Sequence, residues 1–231
     1  MIKAVIFDMY ETLITLLAGQ PYFGAQLAAD AGITEGTFRK IWDPTEDGRT
    51  IGKLTFEDVI VTILRENDCY TDEKLEYIVS RRRRSREEAF ELIHPEILTM
   101  LEALKVKGML TGLISNCFSE EAAVIKDSVL YPFFDAVCLS YDEGICKPDP
   151  EIYRRCVEKL GVSADECLYV GDGGSNELEA AQAFGMKAVQ ALWYLKEGVS
   201  QSTKRLPCFE GVGRPMEILD LLPAADENGV Q

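Results

Sequence analysis

The sequence predicts a three-layer α/β protein, a Rossmann-like parallel sheet core into which an all-helical domain is inserted. Three observations carry that expectation. Apolar runs starting at Ile2, Met109, Ala136 and Cys167 lack the alternation of half-exposed strands and each ends on polar or glycine-rich residues, as strands covered on both faces do. Helical patterns closed by Gly108, Gly161 and Gly185 separate the later runs. Between the first run and the second, residues 15–93 show helical periodicity and no convincing strand. The expected division is 1–14 and 94–222 for the sheet domain, 15–93 for the helical domain, and a disordered tail over 223–231.

The first run ends on Asp8, followed by turn-forming residues. Ligands of parallel sheets sit beyond the carboxyl ends of the strands, so Asp8 falls where reactions occur, although an isolated aspartate there more often only caps a turn. In the insert, Phe38, Ile41 and Trp42 share a helical face. Val59, Ile60, Ile63 and Leu64 follow Thr55 as N-cap, and Leu75, Ile78 and Val79 follow Thr71. Asp43-Pro44 and Asp47-Gly48 predict a loop between two helices. An insert at this point overhangs the mouth of the site and suits a lid, with Tyr22, Phe23, Trp42 and Arg49 as candidate lining residues.

Continuing the stripe of Leu75, Ile78 and Val79 reaches Arg82 and Arg86, then Ala89, Phe90 and Ile93, so arginine interrupts an apolar face. The expectation for the run Arg81–Arg84 with Arg86 is a solvated stretch paired with Glu87, Glu88 and Glu91; the alternative is an anion-attracting lid surface. His94, the single histidine, precedes Pro95 and receives no catalytic role.

After Pro95, Ile97, Leu98, Leu101 and Leu104 form an amphipathic helix. The strand Met109–Ile114 then presents Ser115-Asn116, Ser119 begins a helix, and Ala136–Leu139 is a short strand. Prolines flank Asp149 in the loop Glu143–Pro150 and aim Lys147 from a stiff base, though a lone loop lysine is ordinarily just solvated. The strand Cys167–Val170 runs into Gly171-Asp172-Gly173-Gly174-Ser175-Asn176-Glu177. Its glycines permit close approach to a phosphate or metal, and Ser175 is expected to open a helix whose N-terminus favours anions. The dinucleotide fingerprint G-x-G-x-x-G fails at Asn176. Lys187–Leu192 is a fifth strand, followed by a loop from Gly198 and a short helix near Met216–Leu222.

A net charge of −15, from 24 Lys+Arg against 39 Asp+Glu, argues against nucleic acid or an anionic membrane as partner, so a small anionic substrate must meet a local positive site. Residues 1–7 begin a strand with no signal-peptide pattern, and no apolar run approaches about 20 residues, which points to a cytoplasmic protein. The 7 cysteines are scattered without a C-x-x-C pair and read mostly as small core residues, with neither a disulfide framework nor a zinc site. Nothing in the sequence sets an oligomeric state.

Taken in order, a strand ending Asp-x-Tyr-x-Thr, a strand ending Ser-Asn, a Lys-Pro-Asp-Pro loop and a strand ending Gly-Asp resemble the haloacid dehalogenase superfamily of hydrolases, over about residues 2–195. The resemblance implies that the insert is a cap, Asp8 the nucleophile, and Thr12 with Ser115 and the adjacent Asn116 the holders of the transferring group. Lys147 would neutralise charge, and Asp172, Asp8 and the carbonyl of Tyr10 would bind Mg²⁺. These residue types suit the chemistry: a carboxylate forms a covalent intermediate, a transferring phosphoryl needs fixed cations and donors, and two neighbouring carboxylates need a hard cation between them.

Tyr10 departs from the phosphatases that the chain resembles, which carry there a second aspartate as general acid and base. A phenol with pKa near 10 matches that task poorly. The 2-haloacid dehalogenases carry tyrosine, but they work without metal and have a Ser/Asn-rich stretch in place of Gly-Asp. Asp172 tips the balance, because a second carboxylate would repel the carboxylate of a 2-haloacid. Glu11, where the family has glycine, is a candidate substitute acid. The expected function is an Mg²⁺-dependent hydrolase of a small phosphorylated metabolite acting through an aspartyl-phosphate. The alternatives are a metal-free 2-haloacid dehalogenase using Asp8 and a non-catalytic binding protein on the same scaffold; a receiver-type signalling domain would need no helical insert.

Overall fold

The computed structural model describes residues 1–196 and 203–223. The strands are β1 (Ala4–Phe7), β2 (Leu110–Ser115), β3 (Ala136–Leu139), β4 (Cys167–Gly171), β5 (Lys187–Ala191) and β6 (Glu210–Val212). All pair in parallel, in the order β3-β2-β1-β4-β5-β6. β1 is central and wholly buried, which is why its sequence does not alternate. The two-residue period survives in which side each residue faces. Val5 and Phe7 pack with Leu101, Leu113 and Val170 in one core, and Ala4 and Ile6 pack with Ile152, Cys156 and Tyr169 in the other. Phe7 is level with Leu113 of β2 and Val170 of β4, so Asp8, Ser115-Asn116 and Asp172 emerge together at the carboxyl end of the sheet.

Helices α1 (Gly24–Ala31), α2 (Glu35–Trp42), α3 (Glu46–Thr50), α4 (Phe56–Glu66) and α5 (Asp72–Glu91) all lie between β1 and β2. They share a third core containing Leu27, Phe38, Phe56, Ile60, Ile63 and Ile78. Thr55 caps α4 reciprocally: its hydroxyl oxygen accepts the Asp58 N–H at 3.0 Å, and Asp58 accepts the Thr55 N–H at 3.1 Å. The loop expected around Asp43-Pro44 and Asp47-Gly48 is instead a 3₁₀ turn, Asp43–Thr45, running into α3. Pro44 lies in the first turn, where no N–H is required, so it does not break the chain of helices.

The remaining helices, α6 (Pro95–Val106), α7 (Ser119–Asp127), α8 (Ser140–Glu143), α9 (Pro150–Leu160) and α10 (Glu177–Phe184), flank the sheet. His94 caps α6, its Nδ1 accepting the Glu96 N–H at 3.2 Å. β6 goes beyond the sequence reading, which has only a loop there; it is three residues long with two exposed, too short to leave a periodic signal. The helix expected near Met216–Leu222 is a 3₁₀ helix, Pro215–Leu221. Apart from Pro223, the tail expected over 223–231 lies outside the described residues, as does the start of the loop expected at Gly198. All seven cysteines are free thiols; Cys117, Cys138, Cys156 and Cys167 are buried, and Cys208 is exposed. Among the described residues no helix is long and apolar enough to cross a membrane.

The arginine run divides in two. Arg83 and Arg84 are exposed and pair with Glu87 and Glu91, as expected. Arg82 and Arg86 are not solvated; they are 3% and 2% exposed. Arg82 donates to Glu120 at 2.8 Å, to Glu121 at 2.9 Å and to the Tyr22 carbonyl at 2.9 Å, and Arg86 donates to the same Glu121 oxygen at 2.9 Å. The stripe of α5 that these arginines interrupt faces the acidic start of α7, so the carboxylates that hold them come from a distant part of the chain. A second junction is steric. Gly52 has φ +73, and a Cβ there would sit 2.2 Å from the Tyr141 carbonyl oxygen of α8.

Buried charges of opposite sign tolerate each other only while paired. Glu121→Ala should therefore cost about 3–5 kcal/mol in urea unfolding, because Arg86 would lose the carboxylate it pairs with and Arg82 would keep only Glu120. Glu87→Ala, at the exposed Arg83 pair, should cost less than about 1 kcal/mol. Equal effects would show that the buried cluster carries no special weight.

Candidate active site

The Asp8 N–H donates to the Val170 carbonyl at 2.9 Å, which ties the end of β1 to β4. The chain then turns back, with Leu13 and Ile14 donating to the Met9 carbonyl at 2.8 and 3.0 Å. Glu11 takes the left-handed conformation at φ 58, and its carboxylate accepts the Thr15 hydroxyl at 2.7 Å and the Leu16 N–H at 3.0 Å. The candidate substitute acid is thus engaged by the loop it belongs to.

Lys147 is the centre of the site. Its Nζ is 2.5 Å from Asp8 Oδ1, 2.5 Å from Glu177 Oε2 and 3.3 Å from the Tyr169 hydroxyl. Asn116 fixes its backbone from both sides, accepting the Lys147 N–H at 2.8 Å and donating to the Lys147 carbonyl at 3.0 Å. Asp172 accepts the Gly174 N–H and the Thr203 hydroxyl, each at 2.9 Å. Ser175 does not open an α-helix; it lies in the 3₁₀ turn Gly174–Asn176, and α10 begins at Glu177.

Glu177 is the residue that sequence reasoning missed. It is 1% exposed, pairs with Lys147, and accepts the Tyr169 hydroxyl at 2.8 Å and the Gly173 N–H at 3.1 Å. Gly171 makes room for it, since a Cβ at 171 would lie 2.1 Å from Glu177 Oε1. The available signal was an acidic residue in the first turn of the helix that follows the glycine-rich loop.

Asp8, Tyr10, Asn116, Lys147, Asp172 and Glu177, with Glu11, Gly174 and Ser175, line a cavity of about 150 Å³. Thr12 and Ser115 are fully buried and stand outside that lining. Among the described residues Thr12 Oγ1 has no hydrogen-bond partner, and Ser115 Oγ reaches only the Asn116 carbonyl, at 3.5 Å. The Tyr10 hydroxyl is also buried without a partner; burial first, and then the charge of Glu121, hold its pKa well above the usual phenol value.

Burial and the charge of Glu177 push Asp8 up to about 7 against the pull of Lys147. Burial and the charge of Asp8 push Asp172 to about 6. Burial works against the charge of Lys147, but Asp8 and Glu177 outweigh it and raise its pKa. Carboxylate oxygens of Asp8, Asp172 and Glu177 lie within 4.8 Å of one another around a single ammonium, a formal excess of two negative charges (three carboxylates less one lysine). An all-oxygen donor set with that excess fits a hard divalent cation such as Mg²⁺.

The family model described as haloacid dehalogenase-like hydrolase matches residues 2–185. The chain belongs to the haloacid dehalogenase-like hydrolases. It is 25% identical to a glyceraldehyde 3-phosphate phosphatase of Methanopyrus kandleri, over 96% of this chain and 97% of that one. It is 32% identical to a phosphoglycolate phosphatase of Aquifex aeolicus over 56% of this chain, which spans only 58% of that relative. A match to acyl-CoA dehydrogenase family member 10 of Mus musculus spans 9% of that longer protein. Among solved structures, a 2-haloacid dehalogenase from Pseudomonas syringae superposes with a TM-score of 0.66 at 22% identity, covering 96% of this chain and 98% of that one. A Bacteroides thetaiotaomicron family enzyme in complex with magnesium and inorganic phosphate gives 0.60 at 19% identity, covering 87% and 98%. Both likenesses are to the fold of the chain.

A carboxyl group whose pKa is raised on folding stabilises the protein fully below its unfolded value, and that contribution is lost as pH rises through the folded value. For Asp8 the window runs from about 4 to about 7. In metal-free protein the melting temperature of Asp8→Asn relative to wild type should therefore climb by several degrees between pH 4.5 and pH 8. A difference independent of pH would mean that Asp8 is not held in its protonated form by the fold.

Proposed function

We propose that the protein is an Mg²⁺-dependent phosphatase of a small phosphorylated metabolite, working through an aspartyl-phosphate on Asp8, with residues 15–93 acting as a cap over a core of 1–14 and 94–222. The observation that carries this reading is the excess of negative charge around Asp8, Asp172 and Glu177. It suits a site completed by a divalent cation and is hostile to the bare carboxylate of a 2-haloacid.

Asp8 Oδ would attack phosphorus as the bond to the leaving oxygen breaks, and water would later cleave the aspartyl-phosphate. Lys147, pinned by Asn116 and Glu177, orients Asp8 and offsets charge on the transferring group. Thr12 and Ser115 would supply the hydroxyl donors for the phosphoryl oxygens once the substrate reaches them, the Thr12 hydroxyl having no partner among the described residues. Asp8, Asp172 and the Tyr10 carbonyl would hold Mg²⁺, which when bound supplies Lewis-acid stabilisation of the phosphoryl charge. Tyr10 stays protonated and its hydroxyl bonds no group of the site, so the leaving oxygen receives little help from the protein. Tyr10 also favours the second reading, a metal-free 2-haloacid dehalogenase, because a halide leaves without a proton.

Asp8→Asn should abolish turnover of phosphate esters while the protein stays folded, and Asp172→Ala should remove the rise in melting temperature that Mg²⁺ gives the wild type. Residual turnover in the first, or an unchanged metal response in the second, would remove that residue from its role. Metal-independent halide release from a 2-haloacid by wild type would install the second reading, and no turnover of either class would favour a binding protein.

The leaving group offers a sharper test. Wild type should hydrolyse aryl phosphates far better than alkyl phosphates, and Tyr10→Asp should raise alkyl phosphate turnover by about 10-fold or more by restoring an acid and base. Equal wild-type rates on the two classes would show that another group already protonates the leaving oxygen.

A further inference from the structure

In the turn that follows Asp8, the N–H groups of Leu13 and Ile14 share one carbonyl, that of Met9. The carbonyls of Thr12 and Leu13 are met from the far end of the chain. Trp193 donates its indole N–H to the Thr12 carbonyl at 2.7 Å, and the Tyr194 hydroxyl donates to the Leu13 carbonyl at 3.4 Å. The same hydroxyl accepts the His94 N–H at 2.9 Å, so the chain leaving for the insert and the chain returning from it meet on one side chain. These two aromatic residues stand on a firm base just past β5. There the Leu192 N–H donates to the Val212 carbonyl at 2.9 Å, and the Leu195 N–H closes a turn on the Leu192 carbonyl at 3.0 Å. Trp193 packs against the core on one face of the sheet.

Backbone carbonyls buried in an irregular turn need partners, so both bonds have a structural use. Thr12 gives the first of them a second use. Its hydroxyl is buried with no partner among the described residues, although folded proteins keep few such groups because each is costly. A threonine side chain is branched at Cβ and restricted about its first torsion, so holding the Thr12 backbone also holds the hydroxyl. Trp193 therefore sets the place of a donor that it does not touch.

We propose that Trp193 is a positioning residue for the phosphoryl transfer: by bonding the Thr12 carbonyl it keeps the Thr12 hydroxyl in register with Asp8, where it donates to an oxygen of the transferring group. This rests on the phosphatase reading of Asp8. A donor fixed in advance needs no reorganisation when charge develops on the phosphoryl oxygens, and a displacement of about 1 Å is enough to cost about 100-fold in rate. Trp193 does not line the Asp8 cavity and acts only through Thr12.

The test is a double-mutant cycle in the full chain, read as kcat and KM on para-nitrophenyl phosphate in Mg²⁺. Trp193→Phe keeps a ring in the core and removes the N–H; Thr12→Val keeps the branched shape and removes the hydroxyl. Thr12→Val should lower kcat by about 100-fold and Trp193→Phe by about 10-fold, each with little change in KM. In the Thr12→Val background, Trp193→Phe should lower kcat no further, since the group it aims is gone. A merely structural brace would lower kcat by the same factor in both backgrounds. That result, or a Thr12→Val protein as active as wild type, overturns the proposal. A second measurement leaves Trp193 in place and so does not depend on that variant folding. The chain has 2 tryptophans, Trp42 and Trp193, so the indole N–H of Trp193 is one of a pair of NMR signals. Inorganic phosphate with Mg²⁺ should shift the Trp193 signal in wild type and shift it far less in Thr12→Val; equal shifts, or none in wild type, overturn the proposal. A Thr12-dependent shift in a protein that hydrolyses no ester refutes the phosphatase reading alone, and turnover with equal losses in both backgrounds refutes the role of Trp193 alone.

Discussion

The buried contact of Lys147 with Asp8 and Glu177 is the constraint on which the rest of the site depends. An ammonium enclosed by protein keeps its charge only if carboxylates meet it, and here they come from the end of β1 and the first turn of α10. The surrounding sequence serves that meeting. Gly171 has no side chain because Glu177 occupies its space, Asn116 gives its amide to the backbone of Lys147, and Tyr169 supports Glu177 from beneath. A site assembled this way carries more formal negative charge than one lysine can balance, and the proposed cation rests on that imbalance.

The junction between insert and sheet follows the same rule with the opposite outcome. Arg82 and Arg86 are neutralised by Glu120 and Glu121 and form a closed account among themselves. Arg49, which lines one cavity with these two, has two donor atoms, Nε and Nη1, without a partner among the described residues. Charge that is balanced holds the two parts together.

Much of this was legible in the sequence because parallel strands announce themselves. An apolar run that stops on a polar residue marks a strand end, and strand ends of one sheet converge, so Asp8, Ser115, Asn116 and Asp172 could be grouped without coordinates. Lys147 lies on a loop and was placed only by the ordered resemblance of the motifs. Glu177 stayed hidden because an acidic residue in the first turn of a helix is common for reasons of helix polarity alone. The burial of Arg82 and Arg86 could not be read locally, since the carboxylates that make it tolerable are 38 and 39 residues from Arg82 and 35 from Arg86. β6 contributes three residues, fewer than a pattern needs to repeat.

Gly52 gives the junction a property of a different kind. With its Cα seated against the Tyr141 carbonyl, it works as the zero mark of a gauge: the absence of a side chain there sets how deeply the insert settles onto the sheet domain. The smallest shim at this point, a single methyl group, would have to push the parts apart or twist the loop, and the edge-to-face contact of Trp42 with Phe118, 6.1 Å between ring centres, would open with it. The volume of the cavity beside that contact is thus governed from a residue that does not line it.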